Sequence, residues 1–133
     1  IILYKNWEMG MGATIAHGIK KMIKKSPKIN GVLISLVDMP LISTLHLNKL
    51  IKVFLKCKNK IVVSKSKEEY LSAPILFPSI YFNDLEQLKG DQGAKKIIKK
   101  NSNNLEIVNG YDLLIDIDTK KEYFYLLNKI THQ

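Results

Sequence analysis

Three acidic side chains stand where apolar runs end. Asp38 closes the run GVLISLV and is followed at once by Met39 and Pro40; Asp116 and Asp118 lie in LLIDIDTKKEY. In open α/β sheets, ligands bind beyond the carboxyl ends of the strands. A carboxylate there projects into the binding crevice, and Pro40 stiffens the chain's exit. A plain aspartate in a strand-to-helix turn reads the same way, so Asp38 alone does not choose between turn and metal site. The second acid pair shifts the balance. Positions two apart on a strand face one side, which points Asp116 and Asp118 together. Burying such a pair is costly without a cation or a donor beside it. Two strand-end acid sites from distant parts of a chain suit Mg²⁺ ions that hold a triphosphate. One of the two acids can equally cap the helix that comes next.

A third stretch, KGDQGAKKII, has the makings of an anion site. Gly90 permits an unusual backbone angle, Asp91 can cap a helix, and Gly93-Ala94 leave the first turn uncrowded. A helix start of this kind offers free N–H groups to an anion, with Lys95 and Lys96 close behind. An ordinary capped helix fits these residues as well. Cys57, in KVFLKCKNK, has no histidine near it in sequence and reads as a residue packed at a helix end. His17 reads as a surface residue of the first helix, and neither His46 nor His132 stands in a catalytic pattern.

The elements that must hold these residues can be read from periodicity. Ile15, Ala16, Ile19, Met22 and Ile23 form one helical stripe from Gly12 onward, and Ser26-Pro27 stops it. Gly31 to Val37 reads as a strand buried on both faces. Ser43 can cap a helix with Leu47, Leu50, Ile51, Phe54 and Leu55 inward. Strands are expected at Ile61 to Ser64 and Ala73 to Phe77, and short helices at Ser79 to Leu88 and Gln92 to Lys100. Leu105 to Val108 and Leu113 to Ile117 read as strands joined by an Asn109-Gly110 turn. Thr119 can cap a last helix with Tyr123, Leu126, Leu127 and Ile130 inward. The order α-β-α-β-β-α-α-β-β-α describes one α/β domain over residues 1–133 with a mainly parallel sheet.

Composition narrows the function classes. No apolar run approaches the roughly 20 residues of a membrane span, which argues against a membrane partner. A single cysteine fits a reducing cytoplasm. The formal charge of +9 invites a nucleic-acid reading, yet all 21 basic residues are lysine. Base-edge readout relies on the bidentate guanidinium fork, which this chain lacks. The KKxxKK runs, Lys20 to Lys25 and Lys95 to Lys100, read as solvated helix faces, so no specific nucleic-acid partner is expected.

Taken in order, these pieces resemble the MobA-like nucleotidyltransferase family, and within it most closely the molybdenum cofactor cytidylyltransferase branch. The resemblance rests on Asn6, Gly10, Met11, Thr14, Ile15 and Gly18 ahead of the central strand, then on Asp38 to Pro40. It continues through Pro74 to Phe77, Leu88 to Ala94, and Asp116 to Thr119. It spans nearly the whole chain, and the ordered set is specific where each piece is weak.

The resemblance implies a Rossmann-like fold of the nucleotide-diphospho-sugar transferase type, and Mg²⁺-dependent transfer of CMP from CTP to molybdopterin with release of pyrophosphate. It implies metal ligation by Asp38 and Asp118, with Asp116 as a neighbour, and places Asn6, Gly10 and Met11 along the nucleotide. Gly90, Asp91 and Gly93 fall on the acceptor side. Molybdoenzyme maturation factors are implied as further partners. GTP or another NTP, another acceptor, or a non-catalytic accessory domain are the alternatives. Two departures stand out. Ser72-Ala73 replace a small-residue-plus-histidine pair before Pro74. The family's Gly-rich phosphate loop has no counterpart in these residues, and its place is before Ile1. The chain therefore reads as the back portion of such an enzyme, expected to be poorly soluble and inactive by itself.

If the lysines are solvated faces, duplex DNA should bind weakly, without sequence preference, and release steeply as salt rises. Binding titrations at several salt concentrations check this; tight binding to one sequence at physiological salt would revive the nucleic-acid reading.

Overall fold

A computed structural model describes residues 1–131 of the chain. Four strands form one sheet: β1 (Gly31–Ile34), β2 (Ile61–Ser66), β3 (Leu71–Pro78) and β4 (Leu105–Tyr111). Their order across the sheet is β1-β3-β2-β4. β3 runs antiparallel to both β1 and β2, whereas β2 and β4 are parallel. β1, β2 and β4 therefore share a direction and β3 alone is reversed, so the sheet is mixed: among the described residues β2–β4 is a parallel ladder, and the two ladders that β3 makes are antiparallel. The helices are α1 (Met11–Lys25), α2 (Thr44–Lys56), α3 (Phe82–Glu86), α4 (Lys95–Lys100) and α5 (Lys120–Thr131).

Side-chain alternation along the strands builds two cores, one on each face of the sheet. Val32, Ile61, Val63, Ile75 and Phe77 point to one face, where Ala16 and Ile19 of α1, Phe82 and Leu85 of α3, and Ile97 and Ile98 of α4 cover them. Val62, Leu76 and Val108 point to the other, against Leu50 and Phe54 of α2. This is the α/β/α layering that strands apolar on both faces demand. A smaller cluster of Met39, Ala73 and Leu114 closes one end of the sheet.

Several elements differ from the sequence expectations, each for a local reason. β1 stops at Ile34 instead of reaching Val37, because its register with β3 ends at Ile34↔Ile75. The next residue of β3 is Pro74, which has no N–H to donate. Val37 is fully exposed, and Asp38 lies in the turn after the strand. Asn109-Gly110 is no hairpin turn: pairing with β2 runs through Lys65↔Asn109 and, after a register shift, Ser66↔Tyr111. A Cβ on Gly110 would stand 2.7 Å from Leu114 Cγ, so glycine admits the returning chain. Leu113 to Ile117 is not a strand, since β4 flanks β2 and the residues beyond it lie across the sheet end, with Leu114 buried beside Met39. Asp91 does not cap α4; Ala94 precedes that helix and supplies no side-chain cap bond. Of the residues expected on the inner face of α2, Leu50 and Phe54 are buried as expected, whereas Ile51 and Leu55 are exposed.

His46, which stands in no catalytic pattern in the sequence, is a core residue. It is 1% exposed, and its Nε2 lies 2.9 Å from the hydroxyl of fully buried Ser64. Ser64 spends its only proton on the Pro74 carbonyl at 2.7 Å, so Nε2–H must be the donor. Ser43 caps α2, as expected, by accepting the His46 backbone N–H. His132 lies outside the described residues.

Burial, and then nearby Lys49, hold the His46 imidazole below its ordinary value of 6.5. The unfolded chain binds a proton near that value and the folded chain resists it, so His46's share of stability is whole above pH 6.5 and is lost as pH falls through the lowered folded value. Denaturation midpoints should decline below pH 6.5, and His46→Gln should flatten that decline. Ser64→Ala, which strips partners from two buried groups, should cost about 1–3 kcal/mol, measured by urea unfolding at neutral pH.

Candidate active site

The Asp38 turn is tied to the distant acid segment by its backbone: the Ile117 N–H donates to the Asp38 carbonyl at 2.9 Å. One Asp38 carboxylate oxygen, Oδ1, is buried and has no hydrogen-bond partner among the described residues. An orphaned carboxylate oxygen is costly unless a cation or donor meets it. Asp38 lines a groove of about 330 Å³, with Pro40, Leu41 and Ile117 on one side and Tyr123, Leu126 and Ile130 of α5 on the other. Of α5's expected inward residues only Leu126 is buried; Tyr123, Leu127 and Ile130 stay exposed along this groove.

Asp116 and Asp118 are both exposed and flank Ile117, which faces the groove. Thr119 caps α5 as expected, and Glu122 completes the box. The Glu122 N–H donates to the Thr119 hydroxyl at 3.2 Å, while the Thr119 and Asp118 N–H groups donate to Glu122 Oε2 at 2.8 and 3.0 Å. The Thr119 hydroxyl also donates to Glu122 Oε2 at 2.9 Å, and this bond first, then the two backbone N–H bonds, hold the Glu122 carboxyl below its usual range. Glu122 therefore fixes the backbone at Asp118, a role the Thr-x-x-Glu spacing could have signalled.

The donor set suits a hard divalent cation. Among the described residues no three His, Cys, Asp or Glu side chains gather to hold a metal by themselves. Mg²⁺ does not need such a cage, because it is commonly held by one or two carboxylates together with substrate phosphates and water. An unsatisfied Asp38 oxygen beside an acid-bearing segment fits that requirement.

The second pair of motifs also meets. A short 3₁₀ turn, Trp7–Met9, begins after Asn6 and returns through Gly10, whose φ is +93°. Met11, half-exposed, starts α1. The Gly12 N–H then donates to the Gly90 carbonyl at 2.7 Å, which joins the Asn6–Met11 stretch to the loop carrying Gly90, Asp91 and Gly93. Among the described residues no hydrogen bond links this pair to the Asp38 turn. His17 is half-buried, and its ring lies 4.5 Å from that of Tyr4. Cys57 caps the end of α2, as its sequence setting suggests.

The sheet, covered by helices on both faces and carrying acid-bearing segments at one end, makes this a three-layer α/β protein. A family model, the MobA-like NTP transferase domain, matches residues 1–105, and the chain belongs to that family. It is 32% identical over 120 residues to the purine catabolism protein PucB of Bacillus subtilis, a match covering 87% of this chain and 55% of PucB. Among solved structures it resembles the Rv0371c homologue of Mycobacterium sp. strain JC1, with TM-score 0.71 and 22% identity, over 88% of this chain and 58% of that one. Rv0371c of Mycobacterium tuberculosis, solved as a complex with manganese, aligns with TM-score 0.69 and 22% identity, over 83% and 58% of the two chains. The chain spans little more than half the length of these relatives.

If the Asp38 carbonyl bond fixes the acid segment, the Ile117 amide should exchange with solvent more slowly than that of Asp116. Hydrogen exchange read residue by residue checks this, and Ile117→Pro, which removes the donor, should loosen residues 112–119.

Proposed function

We propose that the intact protein containing this chain is a cytoplasmic, Mg²⁺-dependent nucleotidyltransferase that moves CMP from CTP to molybdopterin and releases pyrophosphate. The observation that carries this reading is the buried, unpartnered Oδ1 of Asp38 in a turn bonded to the segment of Asp116 and Asp118. Membership of the MobA-like NTP transferase family supports a nucleoside triphosphate as the donor. The manganese complex of a protein with the same fold supports a divalent cation.

In the reaction, a phosphate oxygen of the acceptor attacks the α-phosphorus of CTP in line, the new P–O bond forms, and the bond to pyrophosphate breaks. Asp38 and Asp118 would hold the metal, with Asp116 beside them. Bound there, Mg²⁺ supplies charge neutralisation on the phosphates and fixes their geometry. Asn6, Gly10 and Met11 position the nucleotide, and Gly90, Asp91 and Gly93 position the acceptor. Catalysis of this kind is mostly positioning and electrostatics, which places the demand on how rigidly Asp38 is held. The Ile117 bond on its carbonyl and the Met39 side chain packed beneath the turn meet that demand.

Asp38→Asn keeps the side chain's size and removes its charge. In the intact protein it should lower kcat roughly a hundred- to a thousandfold while circular dichroism stays that of the wild type. The check is pyrophosphate release with CTP, Mg²⁺ and molybdopterin, run beside GTP. Near-normal Mg²⁺-dependent turnover of the variant would remove Asp38 from the site. Faster wild-type release from GTP would reassign the donor, and no release from any triphosphate would support a non-catalytic accessory domain.

A further inference from the structure

The start of α1 and the Lys89–Gly93 loop fit together as mould and cast. Gly12 is buried in the first helical turn, and a Cβ there would stand 2.6 Å from the Gln92 carbonyl oxygen, 2.9 Å from that of Gly90 and 3.0 Å from that of Lys89. All three neighbours are backbone atoms, which cannot swing aside as a side-chain tip can. A Cβ on Gly10 would meet the Gly90 carbonyl carbon and the Asp91 Oδ1, and Gly10's φ of +93° disfavours any other residue. On the loop side, a Cβ on Gly93 would lie 3.2 Å from Met11 Sδ. No side chain caps α1 at Gly10. Its Gly12 N–H, one of the first-turn donors a helix leaves free, is taken by the Gly90 carbonyl at 2.7 Å.

The loop is shaped for this contact. Gly90 holds φ at +55°, and the Gly93 N–H closes back on the Asp91 carbonyl at 2.8 Å. The Gln92 N–H reaches the Lys89 carbonyl at 3.3 Å. Three carbonyls converging on one glycine leave the loop a single seat.

From this fit we infer that Gly12 is a positioning residue for the acceptor: it touches neither substrate, and it sets the place of Asp91 and Gly93 by giving their loop a socket on α1. The inference rests on the proposed division into nucleotide-side and acceptor-side segments. It adds that the two sides are mechanically one unit, so that ordering the acceptor loop also orders the Gly10–Met11 turn. A methyl group at Gly12 forces the loop outward by about the overlap of one carbon atom. Displacements of that size at a reacting centre cost on the order of a hundredfold in rate.

The test compares Gly12→Ala with Gly18→Ala in the intact protein. Both place alanine in α1, yet a Cβ on Gly18 meets nothing within 4 Å. With CTP, Mg²⁺ and molybdopterin, Gly12→Ala should raise the KM for molybdopterin and lower kcat/KM for it on the order of a hundredfold, in line with the cost of misplacement, while Gly18→Ala keeps wild-type values. A purely structural loss would lower kcat through the fraction folded and leave both KM values alone, which would overturn the assignment. Hydrogen exchange without any substrate gives the second readout. In the unaltered protein the Gly12 amide should be protected although it lies in a first helical turn, and molybdopterin should slow it further. Gly12→Ala should speed exchange at Gln92 and Gly93. If the wild type transfers no nucleotide, the proposed function fails while these exchange rates still decide the socket. A Gly12 amide that exchanges like a free first-turn N–H overturns it, whether or not the variant folds.

Discussion

Strand β3 sets the terms for the rest of the molecule. It lies between β1 and β2, runs against both, and is buried from Ala73 to Pro78. A strand hidden on both faces must be covered on both, so α2 is drawn to one side and α1, α3 and α4 to the other. Its Pro74 also decides where β1 can continue. Without an N–H at that position the pairing with β1 ends at Ile34, and the chain leaves the sheet in the turn that carries Asp38. The same Pro74 offers its carbonyl to Ser64, which in turn accepts from His46, so the polar atoms freed by the proline are satisfied within the core.

That early exit leaves a carboxylate held by backbone and packing more than by side-chain partners. Met39 anchors the turn in the cluster with Ala73 and Leu114, and Ile117 ties the far end of the chain to the Asp38 carbonyl. Asp38 Oδ1 is left buried and without a partner among the described residues, a state that attracts a cation. Glu122 fixes the backbone of Asp118 and Thr119 by a capping box, so three consecutive amides, from Ile117 to Thr119, are tied down. Gly12 does for the Lys89–Gly93 loop what Ile117 does for the acid segment. In both places a backbone hydrogen bond brings together residues far apart in the chain.

Much of the fold was legible because its signals are local and repeated. The stripe Ile15, Ala16, Ile19 and the apolar runs at Ile61 and Ala73 could only belong to a covered sheet, and Ser43 and Thr119 marked helix starts that the hydrogen bonds bear out. The misreadings have a common origin in partners that sequence does not display. Gly31 to Val37 reads as one strand until Pro74 is placed opposite its middle. Asn109-Gly110 reads as a turn until β2 is placed alongside it, and Leu113 to Ile117 as a strand until no neighbour is found to pair with it. His46 gave no sign of burial because its partner, Ser64, lies 18 residues away on another element. The acid residues were visible as types and spacings, whereas the unpartnered oxygen of Asp38 and the socket at Gly12 exist only in the folded chain.

The central claim is that the Asp38 turn and the Asp116–Asp118 segment together receive a divalent cation carried with a nucleotide. The most direct measurement is paramagnetic broadening of backbone resonances by Mn²⁺, titrated into the intact protein with and without CTP. The account predicts selective broadening at Asp38, Ile117 and Asp118 that sharpens in selectivity when CTP is added. Broadening spread over exposed carboxylates such as Glu68, Glu86 and Asp112, unchanged by CTP, would contradict it.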